Sequence, residues 1–223
     1  MATPSRPDAG AASARPPRSA FLRRSLLLAL PFQAAMIVSA AVLLAIGYPA
    51  QLALALLLVP ALWAPALLEV IARTSLPRPL QVHYILFIVA GPFMGSALHV
   101  YGWIPDWDTL VHFDSGVMLA WLGMLGVRRV EEHLGVALPV WFGLTVIQLT
   151  PMAFAAAWEI CEFASDALLA TTSQNGLEDT MLDIVAGTLG GLLAISLLIL
   201  FRRPRTLAPH SLLVRADVRV QPQ

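Results

Sequence analysis

Lysine is absent from the 223 residues, cysteine occurs once, and charged side chains make up only 13% of the chain. Each shortage excludes something. Against the roughly 25% charged residues of a soluble domain, this composition, with 58% hydrophobic residues, belongs to an integral membrane protein. Cys161 alone cannot form an internal disulfide, so it carries no information on redox compartment. All fourteen basic residues are Arg, which together with the excess of Ala and Leu fits a high-GC bacterial genome. The chain has no nucleotide-binding loop, zinc-finger spacing or other soluble catalytic module, and nothing in it points to nucleic acid.

Long apolar runs, by contrast, are plentiful. A ~30 Å hydrocarbon core takes about 20 helical residues, and six such stretches fit the sequence: Ser25–Ile46, Leu52–Ile71, Val82–Tyr101, Trp107–Val127, Leu138–Phe163 and Thr180–Phe201. Turn-forming residues separate them, namely Gly47 with Pro49, Pro77 with Pro79, Gly102 with Pro105, Gly135 with Pro139, and Asn175 with Gly176. The expected fold is an all-α bundle of six transmembrane helices over 25–201, flanked by a disordered Arg/Pro/Ala-rich arm over 1–24 and a polar tail over 202–223. Arg23 and Arg24 ahead of an apolar run suggest an export signal, but the run exceeds the 7 to 15 residues of a cleavable core. A retained signal anchor is the better reading.

Arginine is missing from alternate loops, and that absence sets the orientation. Five Arg precede the first span, Arg73 and Arg78 follow the second, Arg128 and Arg129 follow the fourth, and five more follow the sixth. The positive-inside rule then puts both termini in the cytoplasm of a bacterial inner membrane and the loops near 47–51, 101–107 and 164–179 outside.

Acidic residues gather at the outer end. Asp106, Asp108, Asp114, Glu159, Glu162, Asp166, Glu178, Asp179 and Asp183 stand there with His99 and His112, and no Arg is among them. Carboxylates crowded beside a bilayer repel one another and lose water, so a divalent ion, retained protons or a cationic ligand must neutralise them. Asp108 and His112 are four apart and share a helix face, with Asp114 turned away. Glu159, Glu162 and Asp166 follow i, i+3, i+7, and Asp179 and Asp183 repeat the four-residue spacing. Gly187 and Gly190 continue the Asp183 stripe and Gly91 and Gly95 the His99 stripe, a small-residue pattern that turns these faces inward.

Mixed imidazole and carboxylate donors suit zinc or manganese, and an all-oxygen set suits magnesium. The expected ligands are Asp108, His112, Glu159, Glu162 and Asp183, with Glu162 and Asp179 as candidate catalytic carboxylates. Plainer roles fit the rest. His83 and His99 read as interfacial anchors, Glu178 as a solvated or dipole-favoured residue, and Trp103, Trp107 and Trp158 as an aromatic belt. Gln148 and Pro151 read as a kink with an interhelical hydrogen bond, Glu69 as an ion pair with Arg73, and Glu131 and Glu132 as silent loop residues.

Three motifs carry a family resemblance: Asp108-Thr-Leu-Val-His112-Phe113, Trp158-Glu159-Ile-Cys-Glu162-Phe163, and Glu178-Asp179-Thr180-Met-Leu-Asp183 with Gly187. Together they resemble the YjdF-like bacterial inner-membrane family, over roughly residues 70–195. More distantly, the Asp-x-x-x-His pattern followed by acids on later helices is similar to VanZ-like proteins, associated with glycopeptide (teicoplanin) resistance. The resemblance implies a multi-pass fold with a shared polar site, and no reaction. Three functions remain open: metal-assisted chemistry on a lipid or cell-envelope substrate, an ion- or proton-coupled carrier, and a non-enzymatic binder of envelope components or antibiotics.

Overall fold

The computed structural model describes residues 18–72, 74–169 and 173–201. Among these the chain is entirely helical: α1 Arg18–Ala45, α2 Pro49–Ala61, α3 Ala64–Ala72, α4 Arg78–Ile88, a π-helical segment Val89–Ala97, a single 3-10 turn Val100–Gly102, α5 Trp107–Leu134, α6 Val140–Leu169 and α7 Leu177–Leu200. Six spans are long and apolar enough to cross a membrane, namely Ser25–Ala45, Ala55–Ala72, Arg78–Ala97, Trp107–Leu134, Val140–Leu168 and Leu177–Leu200. The chain is a multi-pass membrane protein. The arm before Arg18, the tail after Phe201 and Arg73 lie outside the described residues.

Two of the spans are not single α-helices. The second breaks between α2 and α3 because Pro65 lacks an N–H and its ring crowds the carbonyl four residues back, at Ala61, the last residue of α2. The third changes from α to π geometry around Pro92, and the Leu98 N–H then reaches the carbonyl of Phe93, five residues back, at 3.0 Å. Past this segment, His99 and Asp106 both adopt left-handed backbone conformations, at φ 60° and 59°, which non-glycine residues seldom do.

The helices pack in two groups. In the first, α1 lies against α2, α3 and α4, around buried Met36, Leu62 and Ile85. In the second, α5, α6 and α7 pack on one another, and α4 and the π segment join the groups through α5. The approach of α5 to α7 is closest. A Cβ added to Gly116 would strike the Gly187 carbonyl, and one added to Gly190 would strike the Phe113 carbonyl, so backbone meets backbone with no side chain between. Gln148 of α6 adds a cross-link by donating to the Thr188 carbonyl of α7 at 3.0 Å, the expected interhelical bond beside Pro151.

Two acids on the helices are more deeply engaged than a surface role requires. Glu69 is buried, and it accepts hydrogen bonds from Ser25 Oγ, the Leu76 N–H and Gln81 Nε2, each at 2.8 Å. Its expected partner Arg73 lies outside the described residues. Glu131 is a buried residue of α5 and not a silent loop acid, because Oε1 accepts the Leu138 N–H at 2.8 Å and closes the turn into α6. Removing a buried acceptor costs about 1–3 kcal/mol. Glu131→Ala is therefore expected to lower the melting temperature in detergent by several degrees, while Glu132→Ala, at an exposed side chain, leaves it unchanged. Equal melting of the two variants would show that the Leu138 contact contributes nothing.

Candidate metal centre

The site is built where the first turns of α5 and α7 meet the last third of α6. His112 is its centre. Its Nε2 lies 3.6 Å from Asp108 Oδ1, 3.9 Å from Glu159 Oε1 and 3.9 Å from Asp183 Oδ2. Asp108 reaches the imidazole as its i, i+4 neighbour, whereas Glu159 and Asp183 arrive from separate helices, Asp183 because glycine lets α7 lie on α5. His112, Glu159 and Asp183 are buried, Asp183 to 2% exposure.

Asp108, His112 and Asp183 each offer a ligand atom, and these atoms lie within 4.8 Å of one another, so the three residues could hold a metal ion. Their remaining polar atoms support that chemistry. Asp183 Oδ1 and Glu159 Oε1 are buried with no hydrogen-bond partner, a state shared among the described residues by Glu131 Oε2 near the other end of α5 and by Gln148 Oε1; buried carboxylate oxygens are mostly paired, and only at this site do two unpartnered ones stand beside an imidazole. On α5 itself the first arginine, Arg128, stands 20 residues after Asp108, or ~30 Å at 1.5 Å per residue.

Tyr101, which no motif in the sequence singles out, completes the wall. Its side chain hydrogen-bonds Asp108, and its ring lies over Gly95, where a Cβ would collide with it. Gly95 thus clears space for Tyr101, and Gly91 for Val111 of α5; they do not continue a His99 stripe, because the π segment and the left-handed turn at His99 break α periodicity. Burial, reinforced by the charge of Asp108, pushes the Tyr101 phenol well above its ordinary value. It stays a donor at all physiological pH. A glycine at 95, six residues ahead of the tyrosine, is the sequence signal for it.

The other candidates divide. Glu162 stands nearby, close enough to act electrostatically on Tyr101 and Asp183, but its Oε1 accepts the Trp158 indole N–H at 2.9 Å, and it lies outside the three-residue group. Trp158, expected in the aromatic belt, thereby holds a site carboxylate. Asp179 accepts the Asn175 N–H at 3.2 Å in the first turn of α7, and its charge bears on Asp108, Glu159 and Asp183. Asp166 receives the N–H groups of Ser173 and Gln174 at 2.7 and 3.0 Å, so it pins the α6–α7 connection. Gln174 in turn bonds the Glu159 carbonyl and Thr180 Oγ1, at 3.4 and 3.0 Å. Asp114 pairs with His83 at 2.9 Å, away from the site. Trp107 donates to the Ala90 carbonyl at 2.9 Å, and of the three tryptophans expected in the belt Trp103 is the most exposed, at 77%.

Six apolar spans around a His/carboxylate group define a polytopic membrane protein with a polar site near one end of its bundle. The chain belongs to the DUF2238 family of predicted membrane proteins, whose family model matches residues 27–204. It is also similar to an uncharacterised protein of Thermotoga maritima, 26% identical over 132 residues, which are 57% of this chain and 66% of that protein. No solved structure matches.

Proposed function

We propose that this protein binds a divalent metal at Asp108, His112 and Asp183, with Glu159 able to join, and uses it in chemistry on a lipid or cell-envelope substrate at the outer face of a bacterial inner membrane. The observation that carries this reading is the pair of buried, unpartnered oxygens, Asp183 Oδ1 and Glu159 Oε1, beside the imidazole. An imidazole with carboxylates suits zinc or manganese, with magnesium the all-oxygen alternative. The ion would acidify a water and polarise a substrate oxygen. Glu162, held by Trp158 outside the ligand group, then serves as general base. Asp179, fixed by the Asn175 N–H, adds negative charge to the site and is the second candidate catalytic carboxylate.

The outward orientation rests on the arginine pattern, and the YjdF-like and distant VanZ-like resemblances agree with an envelope role without naming a substrate. A carrier fits less well: the acids gather at one end, and Gln148, the obvious polar group deeper in α6, is tied through Nε2 to the Thr188 carbonyl and leaves only Oε1 without a partner. Elemental analysis of purified protein tests the proposal. Wild type should hold a divalent ion near one per chain, and His112→Ala should bind it at least about tenfold more weakly, the loss expected even for an outer partner of a metal site. Equal occupancy in the two proteins, or none in wild type, rules the reading out.

A further inference from the structure

Below His112 the bundle encloses a cavity of about 410 Å³, walled by α3, α4, the π segment, α5 and α6. Its lining is almost wholly apolar, with Leu80, Phe87, Met118 and Leu122 along its length. Tyr84, Ser115 and Trp158 also line it, but their polar hydrogens are bonded to the Ala61 carbonyl, the His112 carbonyl and Glu162; the other polar lining lies at the two ends. His112 and Tyr101 form the top, and both also belong to the acidic group, while Gln81 and Leu76 form the floor. The floor is fixed, because Gln81 Nε2 donates to both Glu69 and the Leu76 carbonyl. The α6 side opens towards the lipid: Phe154 and Trp158 there are 53% and 39% exposed, whereas Met118 on α5 is 5% exposed.

We infer that this cavity receives the hydrocarbon tail of a membrane phospholipid whose phosphate lies against Asp108, His112 and Asp183. The inference rests on the metal reading at one point, since a phosphate beside these carboxylates needs an intervening cation, and hard divalent ions bind carboxylate and phosphate oxygens together. The tail assignment has its own support. The chain sits in a bilayer, so the medium at the open side is acyl chain, and a cavity of this size, apolar along its length, with the acidic group at one end and an already engaged Gln81 at the other, matches a ligand with one polar terminus. From His112 to Leu122 the wall runs ten residues of α5, ~15 Å at 1.5 Å per residue. That depth takes roughly a dozen carbons of a zigzag chain built from ~1.5 Å bonds.

Photolabelling tests the assignment in full-length protein reconstituted into phosphatidylglycerol vesicles doped with phosphatidic acid that carries a diazirine midway along one acyl chain. After illumination, adducts should appear on Leu80 and Met118, which are 4% and 5% exposed and out of reach of surrounding lipid. Adducts confined to the outer faces, at residues such as Leu57 and Ile199 that are 68% and 53% exposed, overturn the proposal. Met118→Trp should cut cavity labelling at least about tenfold while metal content stays at the wild-type level, and undiminished Leu80 labelling in that variant also overturns it. Metal analysis of the same wild-type preparation judges the ion separately: labelled Leu80 and Met118 in a protein without bound metal would leave the tail site standing and remove the metal reading.

Discussion

Gly190→Leu is expected to lift α7 off α5 and to disperse the acidic group with it. At position 190 even a Cβ would fall on the Phe113 carbonyl, and Gly116 and Gly187 bring the same two backbones together one turn away. Backbone cannot swing aside as a side chain can, so the helices must separate, at a cost towards the upper end of the ~1–3 kcal/mol typical of overpacking. Asp183 lies two turns before Gly190 on the same helix and would move from His112 as the helix shifts. The matched control is Gly126→Leu, on α5, where an added Cβ meets nothing within 4 Å and the helix gains up to about 1 kcal/mol from losing a glycine. Thermal unfolding in detergent should show Gly190→Leu melting well below wild type and Gly126→Leu at or above it, with metal lost only from the former. A wild-type melting point for Gly190→Leu would mean that the close approach of α5 and α7 is not needed.

Asp183→Asn is expected to change stability in opposite directions with and without metal. Asp183 is buried beside Asp108 and Glu159, so in metal-free protein its charge adds repulsion and desolvation cost that an amide of equal shape avoids. The metal-free variant should therefore melt higher than metal-free wild type. On titration with zinc or manganese the order should reverse. A ligand at 100 times its dissociation constant stabilises the folded state by about 2.7 kcal/mol, and only wild type, with its carboxylate intact, should rise by that amount. Parallel shifts in the two proteins would exclude Asp183 from the metal site, whereas destabilisation of the variant in both conditions would make it a structural acceptor.

Helical spacing makes part of this site legible in the sequence. Asp108 and His112 can be paired because four residues return to the same face of an α-helix, and Asp183 can be added because glycines behind it mark a packed seam. The same logic overreaches on α6. Glu159, Glu162 and Asp166 share a stripe, yet that stripe runs from the site to the helix end, where connecting-loop N–H groups take Asp166 and Trp158 takes Glu162. Tyr101 escapes because a π segment and a left-handed His99 lie between it and the α-helical register that orders its neighbours. The six spans are legible from apolar length alone, whereas the α2–α3 break depends on Pro65 acting back on Ala61. Glu131 is misplaced because α5 runs past the expected loop boundary and the Leu138 N–H reaches back to it, and the partners of Glu69, Ser25 and Gln81, are set by tertiary contacts that no local spacing encodes.

The bonds that hold Glu69 also bear on how the first helices assemble. Its donors come from α1, from the connection after α3, and from α4, so no two neighbouring helices complete the set. An unsatisfied polar group in hydrocarbon costs several kcal/mol. The acid on α3 therefore favours α1, α3 and α4 settling against one another over their separate dispersal in lipid.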